Sequence, residues 1–240
     1  MAKKLQIEDI ERKIAIVPLS RDEIKHCIRC RVLIVCEGSK TEPNYFNSFS
    51  MMKNSSSFVF EVFPEGGGIS TLAVVNKAIE LRDKAVKDGH PYDSVWAVFD
   101  KDGFSNSDFD NAIVKAGQKG IECAWSNEAF ELWYVYHFDN RCTPMSRKDY
   151  EKVVTERIRT RLGDKNYKYK KNDLEMRNYL SRCGCDENLV IQRAEKLKNE
   201  FDDSRYHMHN PCTTVYKLVR LLIGKDEKFN AKIKKSVEEK

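Results

Sequence analysis

The sequence predicts an α/β protein with a mostly parallel sheet followed by a helical region, on three observations. Short apolar runs recur through the first half of the chain, each is followed by a turn and a helix-like segment, and from Asn127 onward the β pattern gives way to helices. Strands that alternate with helices build a mostly parallel sheet, because each helix carries the chain back over a face.

Arg31 to Cys36 is a nearly continuous apolar run, as in a strand covered on both faces, and it ends at Glu37 and Gly38. Thr41 and Pro43 start a helix with Tyr45, Phe46 and Phe49 on one face. Phe58 to Phe63 (FVFEVF) alternates as a second strand and Gly66 to Gly68 break it. Ser70 or Thr71 then caps a helix with Leu72, Val75 and Ile79 inward. Ser94 to Phe99 is a third strand ending in DKDGF, Asp108 to Gln118 a helix, and Ile121 to Trp125 a fourth strand. From Asn127 onward helices alone are expected: Glu128 to Phe138, Arg147 to Leu162, Asn172 to Ser181, Glu187 to Phe201 and Pro211 to Ile223. The chain thus divides into a charged N-terminal arm (1–29), an α/β core (30–138) and a helical region packing on it (139–240).

The 240 residues are 41% hydrophobic and 10% aromatic, values of a folded globular protein. No run approaches the roughly 20 apolar residues of a membrane span, and the first residues, MAKKLQIEDIERK, carry no apolar signal core, so a cytoplasmic protein with no membrane partner is expected. The 8 cysteines then read as reduced thiols. Cys27 with Cys30 (CxxC) and Cys183 with Cys185 (CxC) would supply four zinc ligands only if the fold joined two distant pairs, and ordinary thiols are the simpler reading.

The net charge of +5 says little about partners, but its distribution says more. Between Arg147 and Lys171 ten basic residues face four acids, with Tyr150, Tyr167 and Tyr169 interleaved. Cations neutralise phosphates and aromatic rings offer stacking faces, so the segment suits nucleic acid, with Arg157, Arg161, Lys168, Lys170 and Lys171 as the contacts. A solvated helix face is the alternative.

In an open parallel sheet, functional groups gather at the carboxyl ends of the strands. Glu37 stands at the end of the first strand, and Asp100 and Asp102 at the end of the third, so three carboxylates converge. Such oxygen donors suit Mg²⁺ or Mn²⁺, which align a phosphodiester and activate water. Taken singly, each motif also serves as a turn former or helix cap.

VCEGSKTEPNYF, VFDKDGF, SNEAFELWYVYHF and NPCTTVYKLV together resemble the RloB-like family, from about residue 30 to 223. The resemblance implies a Toprim-like (Rossmann-like) fold, a role in defence against phage, and a partnership with a separately encoded ATPase. Where the third motif of the family would carry Asn-Pro, this chain has Asn127 and Glu128. Within the Toprim pattern, Glu37 matches the glutamate that acts as general acid/base or metal ligand, and Asp100 and Asp102 match the metal-binding pair. Glu42 matches the second acid of the VEG-x-TE motif of the related OLD-family nucleases, with one more residue between the two glutamates. It serves either as a second-metal ligand or as a charge at a helix N-terminus.

Glu131, embedded among Phe130, Trp133, Tyr134 and Phe138, requires a metal or a salt-bridge partner. His137 reads more readily as a hydrogen-bonded core residue than as a catalyst. Lys170 and Lys171 serve either the transition-state charge or plain phosphate contacts. Gly66 to Gly68 would let a phosphate approach a helix N-terminus, but the segment lacks the Lys-Ser/Thr ending of an ATP loop. The expected function is hydrolysis of DNA or RNA with two Mg²⁺ or Mn²⁺ ions. A non-catalytic nucleic-acid-binding or regulatory subunit docking on the ATPase is the alternative. Topoisomerase and primase chemistry would need domains for which the chain has no room.

Overall fold

A computed structural model of the chain describes residues 30–50, 58–64, 70–140 and 142–238. The N-terminal arm, Cys27 and Gly66 to Gly68 lie outside the described residues. The elements are β1 (Cys30–Cys36), α1 (Thr41–Ser50), β2 (Phe58–Pro64), α2 (Thr71–Lys87), β3 (Ser94–Asp100), α3 (Asn106–Gln118), β4 (Glu122–Asn127), α4 (Glu131–Tyr136), α5 (Arg147–Leu162), α6 (Met176–Arg182), α7 (Glu187–Lys198), β5 (Cys212–Thr213), α8 (Val215–Leu222) and α9 (Glu227–Glu238).

The sheet runs β2-β1-β3-β4-β5, parallel throughout except for β5, which pairs antiparallel with β4. This is an α/β fold with a Rossmann-like core and added helices. The chain leaves β1 for β2 on one side and returns past it to β3 on the other, so the strand order reverses between β1 and β3. Outside the carboxyl ends of these two strands lies the crevice where such sheets carry their function.

Side-chain alternation divides the core into two layers. Leu33 and Val35 of β1 with Val95, Ala97 and Phe99 of β3 pack against α2 and α3 through Val74, Val75, Phe109 and Ala112. Val32, Ile34, Trp96 and Val98 face the opposite way, into a larger cluster holding α1 and residues of α4 through α9. In the parity of β3, Asp100 continues Trp96 and Val98 toward that helical layer.

Helix starts follow capping chemistry. Ser70, Ser105, Ser146 and Asp186 each accept a backbone N–H of the helix that follows, filling a donor the first turn leaves open. Helix α5 begins and ends where its pattern predicts, after Ser146 and before Gly163, a left-handed glycine stop.

Several expectations for the second half need correction. The chain after Asn127 is not helical alone: Cys212–Thr213 adds a fifth strand, too short for a visible period, inside the segment expected to be one helix from Pro211. Thr214 N–H donates to Trp125 O at 2.8 Å, and the Thr214 hydroxyl accepts from Trp125 N–H at 2.9 Å, fastening this strand to β4. The helix expected over Glu128 to Phe138 spans only Glu131–Tyr136, that from Asn172 starts at Met176, and α9 lies beyond the expected elements.

Helices α1 and α4 interlock through aromatic rings. Tyr45 makes edge contacts with Phe46, Phe49, Phe130 and Tyr134, and the fully buried Trp133 donates its indole N–H to the Tyr45 hydroxyl at 2.7 Å. Trp133→Ala removes the largest of these side chains and orphans that hydroxyl. It is expected to cost about 3–5 kcal/mol in urea unfolding, and a loss below about 1 kcal/mol would contradict the packing described.

Candidate metal centre

Glu37 follows β1 directly, and its backbone N–H donates to Val98 O at 2.9 Å, tying the end of β1 to β3. Its carboxylate turns to β3 as well, where Oε2 accepts the Asp100 N–H at 3.3 Å. Burial raises the Glu37 proton affinity. The Asp100 N–H and Arg147 oppose that rise while Glu42 and Asp102 add to it, and its pKa stands at about 7.

Asp100 is 6% exposed. Its Oδ2 accepts the Phe130 N–H at 3.1 Å, filling an open donor at the start of α4, and takes the Arg147 guanidinium at 3.1 Å. Burial pushes its carboxyl well above the ordinary range; Glu42, Glu131 and Glu37 push the same way and Arg147 pulls it down.

Asp102 stands in a left-handed backbone conformation (φ 33°), which aspartate tolerates better than most residues. Its N–H donates to Glu128 O at 3.1 Å, and its side chain, 45% exposed, reaches Arg147 at 3.4 Å.

Two further acids lie behind these three, each in the first turn of a helix. Glu42 of α1 is buried, and its proton affinity is raised by burial and by Glu131, against its own backbone N–H, Arg147 and Lys171. Gly38 leaves the space this carboxylate fills, since a Cβ there would collide with Glu42 Oε2. Glu131 of α4 is 2% exposed and accepts the Tyr169 hydroxyl at 2.9 Å. Burial, then Glu131, push the Tyr169 phenol up. Thr41, one residue before Glu42, donates its hydroxyl to Lys171 O at 3.3 Å, tying residue 171 to the start of α1.

All five acids named from the sequence thus meet at the carboxyl ends of β1 and β3, where the charges of the others act on Glu37, Glu42 and Asp100. Lys171 joins them and also pairs with Glu151 at 3.4 Å, while Lys168 and Lys170 stand exposed on the same segment. Arg157 does not join them: it pairs with Asp139 at 2.8 Å. Arg161 sits on the last turn of α5, about 20 Å along the helix from Arg147 at ~1.5 Å per residue.

The three tyrosines of the basic segment require a correction. Tyr150, Tyr167 and Tyr169 are buried and offer no stacking face, because Tyr150, Val154 and Ile158 form the inner stripe of α5 at helical spacing and the other two fold in beside them. His137 is a core residue whose Nδ1 meets Trp133 O at 2.9 Å, and burial lowers its pKa to about 4. Among the described residues the cysteines are free thiols, Cys30 lying in β1 and Cys183 and Cys185 just after α6.

Arg147 is the residue that the sequence left unmarked. Burial disfavours its charge, and Asp100, Asp102, Glu131 and Glu42 together more than offset that cost. Only its place at the start of a helix and of the basic segment was visible; that it would fold back on residues 100 and 102 was not.

The donor set consists of carboxylate oxygens alone, the chemistry that Mg²⁺ and Mn²⁺ take, and a cation already stands between Asp100 and Asp102 in the form of the Arg147 guanidinium. In donor chemistry and in charge the residues fit a divalent ion. Among the described residues, however, no group of three or more His, Cys, Asp or Glu side chains is arranged to hold one.

The chain is thus an α/β protein with a Rossmann-like core whose acids gather at the strand-order reversal. The chain belongs to the RloB-like family, whose model, described as RloB-like protein, matches residues 32–222. No curated protein and no solved structure gives a significant match.

The raised proton affinities set a pH dependence. Glu37 binds a proton more tightly folded than unfolded, so its contribution is fully present below about pH 4.5 and is lost as pH rises through about 7; Glu42 and Asp100 act in the same direction. In EDTA the melting temperature is expected to fall across this window, and to fall less in Glu37→Gln. Scanning calorimetry from pH 5 to about 8 checks this, and identical slopes for the two proteins would contradict the burial of Glu37 charge.

Proposed function

We propose that the chain is a Mg²⁺- or Mn²⁺-dependent nuclease that hydrolyses phosphodiester bonds of DNA or RNA. In this reading it acts in the cytoplasm as the effector of a bacterial anti-phage defence system, with a separately encoded ATPase as partner. One observation carries the proposal: five carboxylates gather at the strand-order reversal against two cations, Arg147 and Lys171. Carboxylates crowded in this way are offset either by the protons that their raised affinities draw or by a further cation that displaces those protons.

A bound divalent ion, or a pair of them, would activate water and neutralise phosphate charge. Asp100 and Asp102 would hold it, with Glu42 and Glu131 as the deeper ligands. Glu37, with a pKa near 7, can take or return a proton at neutral pH, the range where general acid/base groups work best. Lys170 and Lys171 stand exposed at the rim, suited to phosphate contacts or to the charge of the transition state. Membership of the RloB-like family supports the defence role and the ATPase partner by resemblance. No helix among the described residues is long and apolar enough to cross a membrane.

A second reading has an observation of its own. Arg147 already neutralises the aspartate pair, as it would in a nucleic-acid-binding or regulatory subunit that needs no ion.

Purified protein is expected to cleave plasmid DNA or tRNA with Mg²⁺ or Mn²⁺ and to be silenced by EDTA. Asp102→Ala, at a half-exposed position, is expected to fold and to lose cleavage. Full activity in folded Asp102→Ala would remove the metal assignment and leave the binding-subunit reading. For Glu37→Gln, a rate loss of roughly 10² to 10⁴ with metal affinity kept would mark an acid/base, and lost affinity a ligand.

On the binding side, replacing Arg161, Lys168, Lys170 and Lys171 by Ala is expected to flatten the log-log salt dependence of binding by about 0.7–0.9 per lost phosphate contact. An unchanged slope would make this segment an ordinary solvated surface.

A further inference from the structure

Arg147 has no part in the reading above beyond its charge, yet its geometry is unusual for a structural ion pair. A guanidinium fixed for good presents its planar fork to a carboxylate, two N–H groups to two oxygens. Arg147 instead shares the single nitrogen Nη2 between Asp100 Oδ2 at 3.1 Å and Asp102 Oδ2 at 3.4 Å, and its Nε is buried with no hydrogen-bond partner. One arm of the fork is left unpaired.

The surroundings allow this side chain to leave. Arg147 is the first residue of α5, a helix anchored by Tyr150, Val154 and Ile158, so the side chain can swing while the helix stays. Its side chain is 29% exposed and so reaches the mouth of the crevice. Asp100 keeps the Phe130 N–H when the guanidinium goes, and Asp102 is half in solvent. Arginine has no acceptor and cannot itself ligate an ion, so guanidinium and ion compete for Asp100 Oδ2 and Asp102 Oδ2. A phosphodiester has the paired oxygens that a guanidinium fork fits.

We propose that Arg147 is the resident counter-cation of this crevice: it yields Asp100 and Asp102 to a divalent ion and then binds a phosphate oxygen pair of the nucleic-acid substrate. The inference rests on the metal-centre reading and gives Arg147 a substrate-binding role within it.

Calorimetric titration of Mn²⁺ alone into the full chain tests the exchange. Arg147→Ala is expected to bind Mn²⁺ about tenfold tighter than wild type, and Arg147→Lys to fall between them. A residue that only held the fold together would give weaker binding when removed. With a non-hydrolysable phosphorothioate oligonucleotide, the salt slopes of wild type and Arg147→Ala are expected to differ by about 0.7 with Mn²⁺ present and to coincide without it. Equal or weaker Mn²⁺ binding by folded Arg147→Ala, beside measurable binding by wild type, overturns the exchange and leaves the metal centre standing. Absence of Mn²⁺ binding in both overturns the metal centre and the exchange together. Should Arg147→Ala fail to fold, the Arg147 Nε–H resonance of wild type decides: it is expected to move on Mg²⁺ addition, and a resonance that does not move refutes the exchange.

Discussion

The carboxylate of Asp100 is the constraint around which the rest of this structure is arranged. A strand covered on both faces ends in a charge that the fold does not expose to water, and an uncompensated buried charge costs several kcal/mol. The compensation comes from the layer above: the Phe130 N–H at the start of α4 and the Arg147 guanidinium at the start of α5 both converge on Oδ2. The two helices are therefore positioned by the same oxygen that a metal ion would claim.

Rigidity behind the crevice comes from aromatic packing. Tyr45 joins α1 to α4 through ring contacts and the Trp133 hydrogen bond, which fixes the helices that carry Glu42 and Glu131. Tyr169 holds Glu131 from the other side. Carboxylates borne on locked elements keep their spacing under mutual repulsion, a requirement for any site that must receive a cation. Asp102 differs, since it sits on a turn and is half exposed, so it can adjust as the occupant of the crevice changes.

Much of this was legible in the chain. The parallel strands announced themselves by apolar runs, and the strand ends placed Glu37, Asp100 and Asp102 together because the reversal of strand order makes one crevice from two strands. Glu131 was legible as an acid in an aromatic helix that had to find a partner. Arg147 was hidden because its role depends on a contact across 47 residues of sequence, which no local pattern records. Tyr167 and Tyr169 misled for the converse reason: their charged neighbours suggested a surface, while the fold turned the rings inward and left Lys168 and Lys170 outside. Strand β5 escaped because two residues carry no period, and it is held by the Thr213 and Thr214 hydroxyls as much as by its ladder.

The central claim is that the acids at the ends of β1 and β3 form a divalent-cation site now held by Arg147. Crystals soaked in Mn²⁺ and measured at the manganese edge test it most directly. An anomalous peak is expected in the crevice, about 2.0–2.3 Å from carboxylate oxygens of Asp100 and Asp102, with the Arg147 guanidinium turned away from both. A crevice without a peak at millimolar Mn²⁺, with Arg147 still on Asp100, would contradict it.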